Sequence, residues 1–231
     1  PEFTRVEVDN DAKVATLAEA RLGAGRGESH FMLVTLGTGV GGGLWASEYA
    51  GSGIYRGASG GAGEFGHLSI DRNGPRCLCG STGCIEAYLG QHYLTERTRQ
   101  RIVGDPDLRT TLRKELAELS PKTIAAAMLA GDTFAREVFT EAGELLGLAM
   151  ASAAKLLDLH LFIVGGGVAG AGDVLFEAAR RTLRENVFEN LLTSDQFFMY
   201  HNVDNEKGSK IIAGWREVYE TLKEMDWRNN P

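Results

Sequence analysis

Three cysteines, Cys77, Cys79 and Cys84, fall within one eight-residue span, and His67 stands ten positions before the first of them. The resulting pattern, H-x9-C-x-C-x4-C, offers three thiolates and one imidazole, the ligand set of a closed, tetrahedral structural zinc site. Only Leu78 separates the first two cysteines, so both can clasp one ion, and Gly80 and Gly83 permit the tight loop that brings Cys84 round. With four protein ligands the metal has no open position. Its expected role is to organise the loop rather than to activate water. The competing reading is three buried free thiols and an unrelated histidine. An odd, crowded set of cysteines argues against a disulfide framework and fits a reducing cytoplasm.

Size and charge narrow the functional classes. A chain of 231 residues with 43% hydrophobic and 24% charged residues can bury a substantial core as one large or two small domains. Its 31 acidic side chains outnumber 24 basic ones. The net charge of −7 opposes a nonspecific grip on phosphodiester backbones, so no nucleic-acid partner is expected. No membrane partner is expected either. The most apolar stretch, Leu145 to Gly167, is interrupted by Lys155, Asp158 and His160, and no signal peptide is evident.

The hydrophobic periodicity describes an α/β chain. A short strand ending at Asp9 and a helix through Leu22 are expected first, so the chain begins inside a fold. His30 to Leu36 reads as a buried strand running into Gly37 to Gly43, and Gly43 to Tyr49 as the second strand of a hairpin. Residues 51 to 85 are glycine-rich and hold every cysteine. Helices are expected over Ile85 to Ile102, Pro121 to Ala130 and Asp132 to Leu157. The last carries a stripe of Phe134, Val138, Ala142, Leu145, Ala149, Ala153 and Leu156, with Asp132 as its cap. Leu159 to Val164 reads as a buried strand before Gly165-Gly166-Gly167, followed by a helix from Asp173 to Asn186. An amphipathic helix from Ser209 to Met225 closes the pattern.

Several residues carry candidate chemistry. Glu64 lies three residues before His67 and Glu86 two after Cys84, so a metal-clamped loop fixes both carboxylates where a polyhydroxylated ligand can donate to them; the alternative is two solvated glutamates. Asn10 and Asp11 sit where the first strand gives way to a helix, a usual place for ligand chemistry in open α/β sheets, with Asp11 a candidate general base. On position alone, a helix cap explains either residue at least as well. Gly37 to Gly43 offers unobstructed backbone N–H groups and the Thr38 hydroxyl to phosphate oxygens, although glycine-rich hairpin turns are common and the lysine of a Walker loop is absent. The run Gly165 to Gly167 lets a flat ligand approach the backbone, without the spacing of a dinucleotide fingerprint.

Taken together and in this order, LGTGVGGGLW, GIYRGASGGAGEFGH and GPRCLCGSTGCIEAY resemble the signature and zinc loop of the ROK family of repressors, open reading frames and sugar kinases. DNDAKVATLAEA is similar to the family's E-N-D-A-N segment, with Asp9 and Lys13 in place of the flanking glutamate and second asparagine. The resemblance implies an actin-like, ribonuclease-H-like sugar kinase fold, mainly its C-terminal lobe. Residues 1–27 would be the remnant of the N-terminal lobe, 28–208 the C-terminal lobe with the zinc loop 67–84, and 209–231 a helix that packs on the N-terminal lobe.

It further implies ATP-dependent phosphorylation of a glucose-like hexose, with Asp11 as catalytic base and Mg²⁺ between the phosphates. Asn10, Glu64, His67 and Glu86 would contact the sugar, with His67 also a zinc ligand beside Cys77, Cys79 and Cys84. Thr38 and Gly39 would face the ATP phosphates, and Gly165, Gly166 and Gly167 the adenosine. Glucose heads the expected substrates, before fructose, mannose and N-acetylhexosamines, and the family analogy suggests a homodimer. Nothing resembles the family kinases' opening D-x-G-G-T phosphate loop, so activity of the chain alone is an open expectation. The tail DNEKGSKIIAGW departs from D-D-A-G-L-x-G-A, although Gly208 and Gly214 remain. Two other readings stand beside the kinase: a fragment of a sugar-sensing ROK repressor, and a non-catalytic sugar-binding module.

Overall fold

The computed structural model describes residues 9–48 and 53–188, together with the backbone of residues 198–201. Strand β1 (His30–Leu36) is apolar at nearly every position because both of its faces are covered. Its residues alternate between two cores, as the two-residue period of a strand requires. Phe31 and Leu33 join Leu17, Ala20, Trp45, Leu161 and Ile163 on one face. Met32, Val34 and Leu36 join Phe162, Val164 and the larger cluster on the other.

Four strands form one sheet in the order β2-β1-β3-β4, with β2 (Val40–Ala46), β3 (Leu161–Gly165) and β4 (Phe198–His201). β2 runs antiparallel to β1, whereas β3 pairs parallel with both β1 and β4. The first core is roofed by helix α1 (Asp11–Leu22), through Leu17 and Ala20. On the second face lie α2 (Glu86–Leu89), α3 (Gln91–Gly104), α4 (Pro121–Leu129), α5 (Thr133–Leu157) and α6 (Asp173–Glu185). Ile102, Ile124, Leu146 and Phe176 carry these helices into the large core. The result is a three-layer α/β/α arrangement, as the periodicity implied.

Four expectations need correction. The hairpin's second strand begins at Val40, not Gly43, so only Gly37, Thr38 and Gly39 make the turn and Gly41 to Gly43 are strand residues. The helix expected over Ile85 to Ile102 is broken at Gly90, which adopts extended angles (φ −58°, ψ 138°) and sends the Gln91 N–H to the Gly37 carbonyl at 3.0 Å. In α5 the predicted stripe fails at Leu156, which is exposed, because Ala135, Phe139, Leu146 and Met150 widen the buried face instead. The β3 strand begins at Leu161 rather than Leu159. The parallel strand β4 and the 3-10 stretch Thr111–Glu118 carried too little pattern to be anticipated. The expected opening strand before Asp9 and the helix Ser209 to Met225 lie outside the described residues. No described helix is long and apolar enough to cross a membrane.

Asp132 caps α5 as expected and does more. Its carboxylate accepts from the Ala135 N–H at 3.0 Å, and from the Thr111 N–H and the hydroxyls of Thr110 and Thr111 at 2.6, 2.8 and 2.7 Å. Burial pushes the carboxyl pKa up, but these donors outweigh it and the net shift is downward. A depressed carboxylate contributes stability that is present above its unfolded pKa and is lost as pH falls through the folded one. Asp132→Ala is therefore expected to cost about 2–3 kcal/mol at pH 7, read from denaturant midpoints. The gap to the parent protein should narrow below about pH 4.

Candidate functional site

The cysteine segment folds as a small knuckle. Ser69 bridges to Cys84 and Arg76 to Thr82, while the Ile70 N–H donates to the Gly83 carbonyl and the Ile85 N–H to the Leu68 carbonyl. This ribbon returns Cys84 beside His67, whose carbonyl lies 3.5 Å from the Cys84 sulfur. At the tip the Gly80 N–H donates to the Cys77 carbonyl, closing the turn between Cys77 and Cys79. One ligand atom from each of His67, Cys77, Cys79 and Cys84 then lies within 4.8 Å of the others. The Cys77 sulfur is 3.7 Å from His67 Nδ1, and the Cys79 and Cys84 sulfurs are 3.6 Å apart.

A tetrahedral zinc with sulfur ligands at about 2.3 Å sets neighbouring sulfurs about 3.8 Å apart, so these donors fit such an ion. Burial, then the neighbouring thiols, push Cys84 up to about 12, whereas the Ser81 backbone N–H brings Cys79 down to about 7. Three thiolates crowded together need a cation to coexist. The structure thus brings together all four predicted ligands.

Glu86 opens α2 immediately after the knuckle and reaches in two directions. Its Oε2 accepts the Val40 N–H at 2.9 Å, and its Oε1 lies 3.7 Å from the Cys77 sulfur. The carboxylate thereby ties the knuckle to the β1–β2 turn. Glu64 is exposed and precedes the 3-10 turn Phe65–His67, where its carbonyl accepts the His67 N–H at 3.0 Å. Glu86 is thus bonded to the turn, whereas the Glu64 carboxylate keeps the solvated setting of the alternative reading, and only its backbone is set by the short helix that carries His67.

Strand β2 brings the remaining candidates alongside. On one of its faces Gly41 and Gly43 lie against α1, where an added Cβ would come within 3.1 Å of the Ala12 Cβ and 2.0 Å of the Thr16 hydroxyl. On the other, a Cβ at Gly42 would come within 2.4 Å of the Gly63 carbonyl. The glycines of β2 therefore serve close packing of α1 and the Gly63–Phe65 segment on opposite faces, not the phosphate cradle expected of the whole run. Asn10 caps α1, accepting from the Lys13 N–H at 3.2 Å, and Asp11 accepts the Ala12 N–H at 2.8 Å; both side chains are exposed. Capping does not exhaust either side chain.

The two glycine turns are neighbours. Thr35 pairs with Gly165 in the parallel β1–β3 ladder, so Gly37 to Gly39 and Gly165 to Gly167 emerge side by side at the carboxyl ends of adjacent parallel strands, a usual ligand position in open sheets. Gly166 has φ +100°, and a Cβ there would meet the Leu36 carbonyl at 2.4 Å. Thr38 and Gly167 are exposed at this edge.

The sequence reading left two contacts out. Arg56 pairs with Asp9 in bidentate fashion at 3.0 and 2.6 Å, and the buried Lys13 ammonium donates to the Gly60 carbonyl. The signal was present in part: Asp9 and Lys13 are the two positions where the N-D-A segment departs from the family pattern.

Comparison with known proteins agrees with this geometry. Over 219 residues the chain is 37% identical to a glucokinase of Halalkalibacterium halodurans, covering 91% of this chain and 62% of the relative. A solved ROK glucokinase of Streptomyces griseus, in complex with glucose and AMPPNP, superposes with a TM-score of 0.69 at 32% identity, over 84% of this chain and 62% of that one. A ROK transcriptional regulator, a homologue of the E. coli MLC protein, superposes with a TM-score of 0.73 at 26% identity, over 83% and 46% of the two chains. The chain thus spans less than two thirds of the length of these relatives. The family model for ROK matches residues 3–210. With the knuckle, the N-D-A segment and the paired glycine turns on one α/β frame, the chain belongs to the ROK family.

Proposed function

We propose that this chain forms the hexose-binding and general-base portion of an ATP-dependent sugar kinase, with glucose the first candidate substrate. The observation that carries the reading is the placement of α1 and the Gly63–His67 segment on opposite faces of one glycine strand, with the β1–β2 turn at its end. The Asn10 amide and the Glu64 and Glu86 carboxylates supply acceptors and a donor for sugar hydroxyls. His67 turns Nδ1 toward the Cys77 sulfur, so its Nε2 is the ring nitrogen available to the sugar. Zinc held by His67, Cys77, Cys79 and Cys84 fixes this loop.

Asp11 takes the proton of the hydroxyl as it attacks the γ-phosphorus of ATP, and ADP leaves. Backbone N–H groups at Thr38 and Gly39 face the phosphates, and Gly165 to Gly167 lie against the adenosine. Mg²⁺, when bound with ATP, neutralises phosphate charge. The similarity to glucokinases, one of them solved with glucose and AMPPNP, supports sugar and ATP as partners. The similarity to a ROK regulator supports a second reading, in which the same pocket senses a sugar without turning it over.

A coupled ADP-release assay on the complete protein, across glucose, fructose, mannose and N-acetylhexosamines, separates them. Hexose-dependent ADP release with glucose among the best substrates is the expected result. Hexose binding by calorimetry with no ADP release from any sugar would favour the sensor and reject the kinase.

A further inference from the structure

The segment from Gly53 to Gly63 carries no helix or strand of its own beyond a single bridge from Ile54 to Trp45 of β2, and leads directly into Glu64. Backbone bonds anchor its start to β2, with the Tyr55 N–H donating to the Leu44 carbonyl at 2.9 Å, and close the loop on itself, with the Ala62 N–H donating to the Arg56 carbonyl at 3.0 Å; side chains tie it to the rest of the fold. Two side-chain contacts join it to the first turn of α1 and the residue two positions before it. Arg56 forks onto both carboxylate oxygens of Asp9, and the guanidinium draws the Asp9 carboxyl below its usual pKa. Lys13, only 4% exposed, points its ammonium at the Gly60 carbonyl. Burying an ammonium is costly without acceptors, so its placement against one loop carbonyl fixes a geometry and not merely a charge. These bonds flank Asn10 and Asp11 on one side and stop four residues short of Glu64 on the other.

We propose that Arg56 and Lys13 are positioning residues: the Asp9–Arg56 pair and the Lys13–Gly60 contact form a clasp that sets the loop carrying Glu64 and His67 against the Asn10–Asp11 segment, and so tunes hexose affinity. The inference rests on the hexose-kinase reading above and adds the residues that hold the two halves of its pocket together. Neither side chain is assigned a contact with the transferred group. The clasp therefore acts on sugar binding and spares the nucleotide side, where the β1–β2 turn is held independently by Glu86 and Gln91.

The test compares Arg56→Gln, Arg56→Lys and the exchanged pair Asp9→Arg with Arg56→Asp in the complete, metal-loaded protein. Kinetics are read with glucose and ATP, and amide exchange over residues 53–63. Arg56→Gln is expected to raise the KM for glucose about fivefold, the scale of one exposed bidentate pair, while the KM for ATP and kcat stay within about twofold. Exchange in residues 53–63 should rise together with it. Arg56→Lys, which keeps one donor, should fall between, and the exchanged pair should recover glucose affinity over Arg56→Gln. An unchanged glucose KM in Arg56→Gln overturns the clasp, as does an equal loss in the KM for ATP. If the parent protein neither binds nor turns over any hexose, the kinase reading fails instead, and unchanged exchange in Arg56→Gln would then overturn the clasp on its own.

Discussion

Cys84→Ala is expected to abolish stoichiometric zinc binding and to weaken glucose binding by about 10–100-fold, the range for loss of a support that orients ligating groups. Cys84 is fully buried and stands at the return of the knuckle ribbon, so alanine removes a ligand without opening a route for another side chain to replace it. Binding of a structural zinc supplies about 10–16 kcal/mol in small domains that fold around the ion, so losing it releases the segment it organises. That segment runs from His67 to Cys84 and passes straight into Glu86. Glu86 in turn holds the Val40 N–H, so loosening should spread to the β1–β2 turn. Calorimetric titration with glucose, beside amide exchange over residues 67–90, measures both effects. Undiminished glucose affinity in a zinc-free Cys84→Ala protein would separate the metal from the sugar pocket.

Asp11→Asn should act on chemistry alone. Asparagine keeps the side-chain oxygen that accepts the Ala12 N–H at 2.8 Å and occupies the same exposed first turn of α1, so neither the helix nor its packing on β2 changes. What it lacks is basicity toward the sugar hydroxyl. Loss of a general base costs about 10²–10⁴ in rate, so kcat for hexose-dependent ADP release should fall by about 10³ with glucose affinity nearly unchanged. The combination separates a base from a binding contact. A fall in affinity with kcat preserved would move Asp11 into the substrate-binding set, and retained turnover would remove it from the mechanism.

Much of this site was legible because its chemistry depends on residue types at short spacing. The knuckle is the clearest case, since four ligands lie within eighteen positions and two turn glycines, Gly80 and Gly83, stand between the last two. The apolar runs of β1 and β3 and the Asp132 cap were legible for the same reason: burial on both faces and a helix start leave local marks. The glycines of β2 were not, because the sequence does not say whether a glycine faces a ligand or another piece of backbone. Here Gly42 faces the Gly63 carbonyl and Gly43 faces Thr16, contacts set by tertiary packing. The break at Gly90 depends likewise on a partner more than fifty residues away, the Gly37 carbonyl. Arg56 leaves no such mark, because a lone arginine in a glycine-rich loop has no periodicity and only the fold brings Asp9 beside it.

One ion tying the imidazole of residue 67 to three sulfurs is what holds the sugar-facing loop in place. Elemental analysis of the protein, purified without added metal and passed through a chelating column, tests that most directly. One zinc per chain is the predicted result; protein that is fully folded and binds glucose with no zinc above background would contradict it.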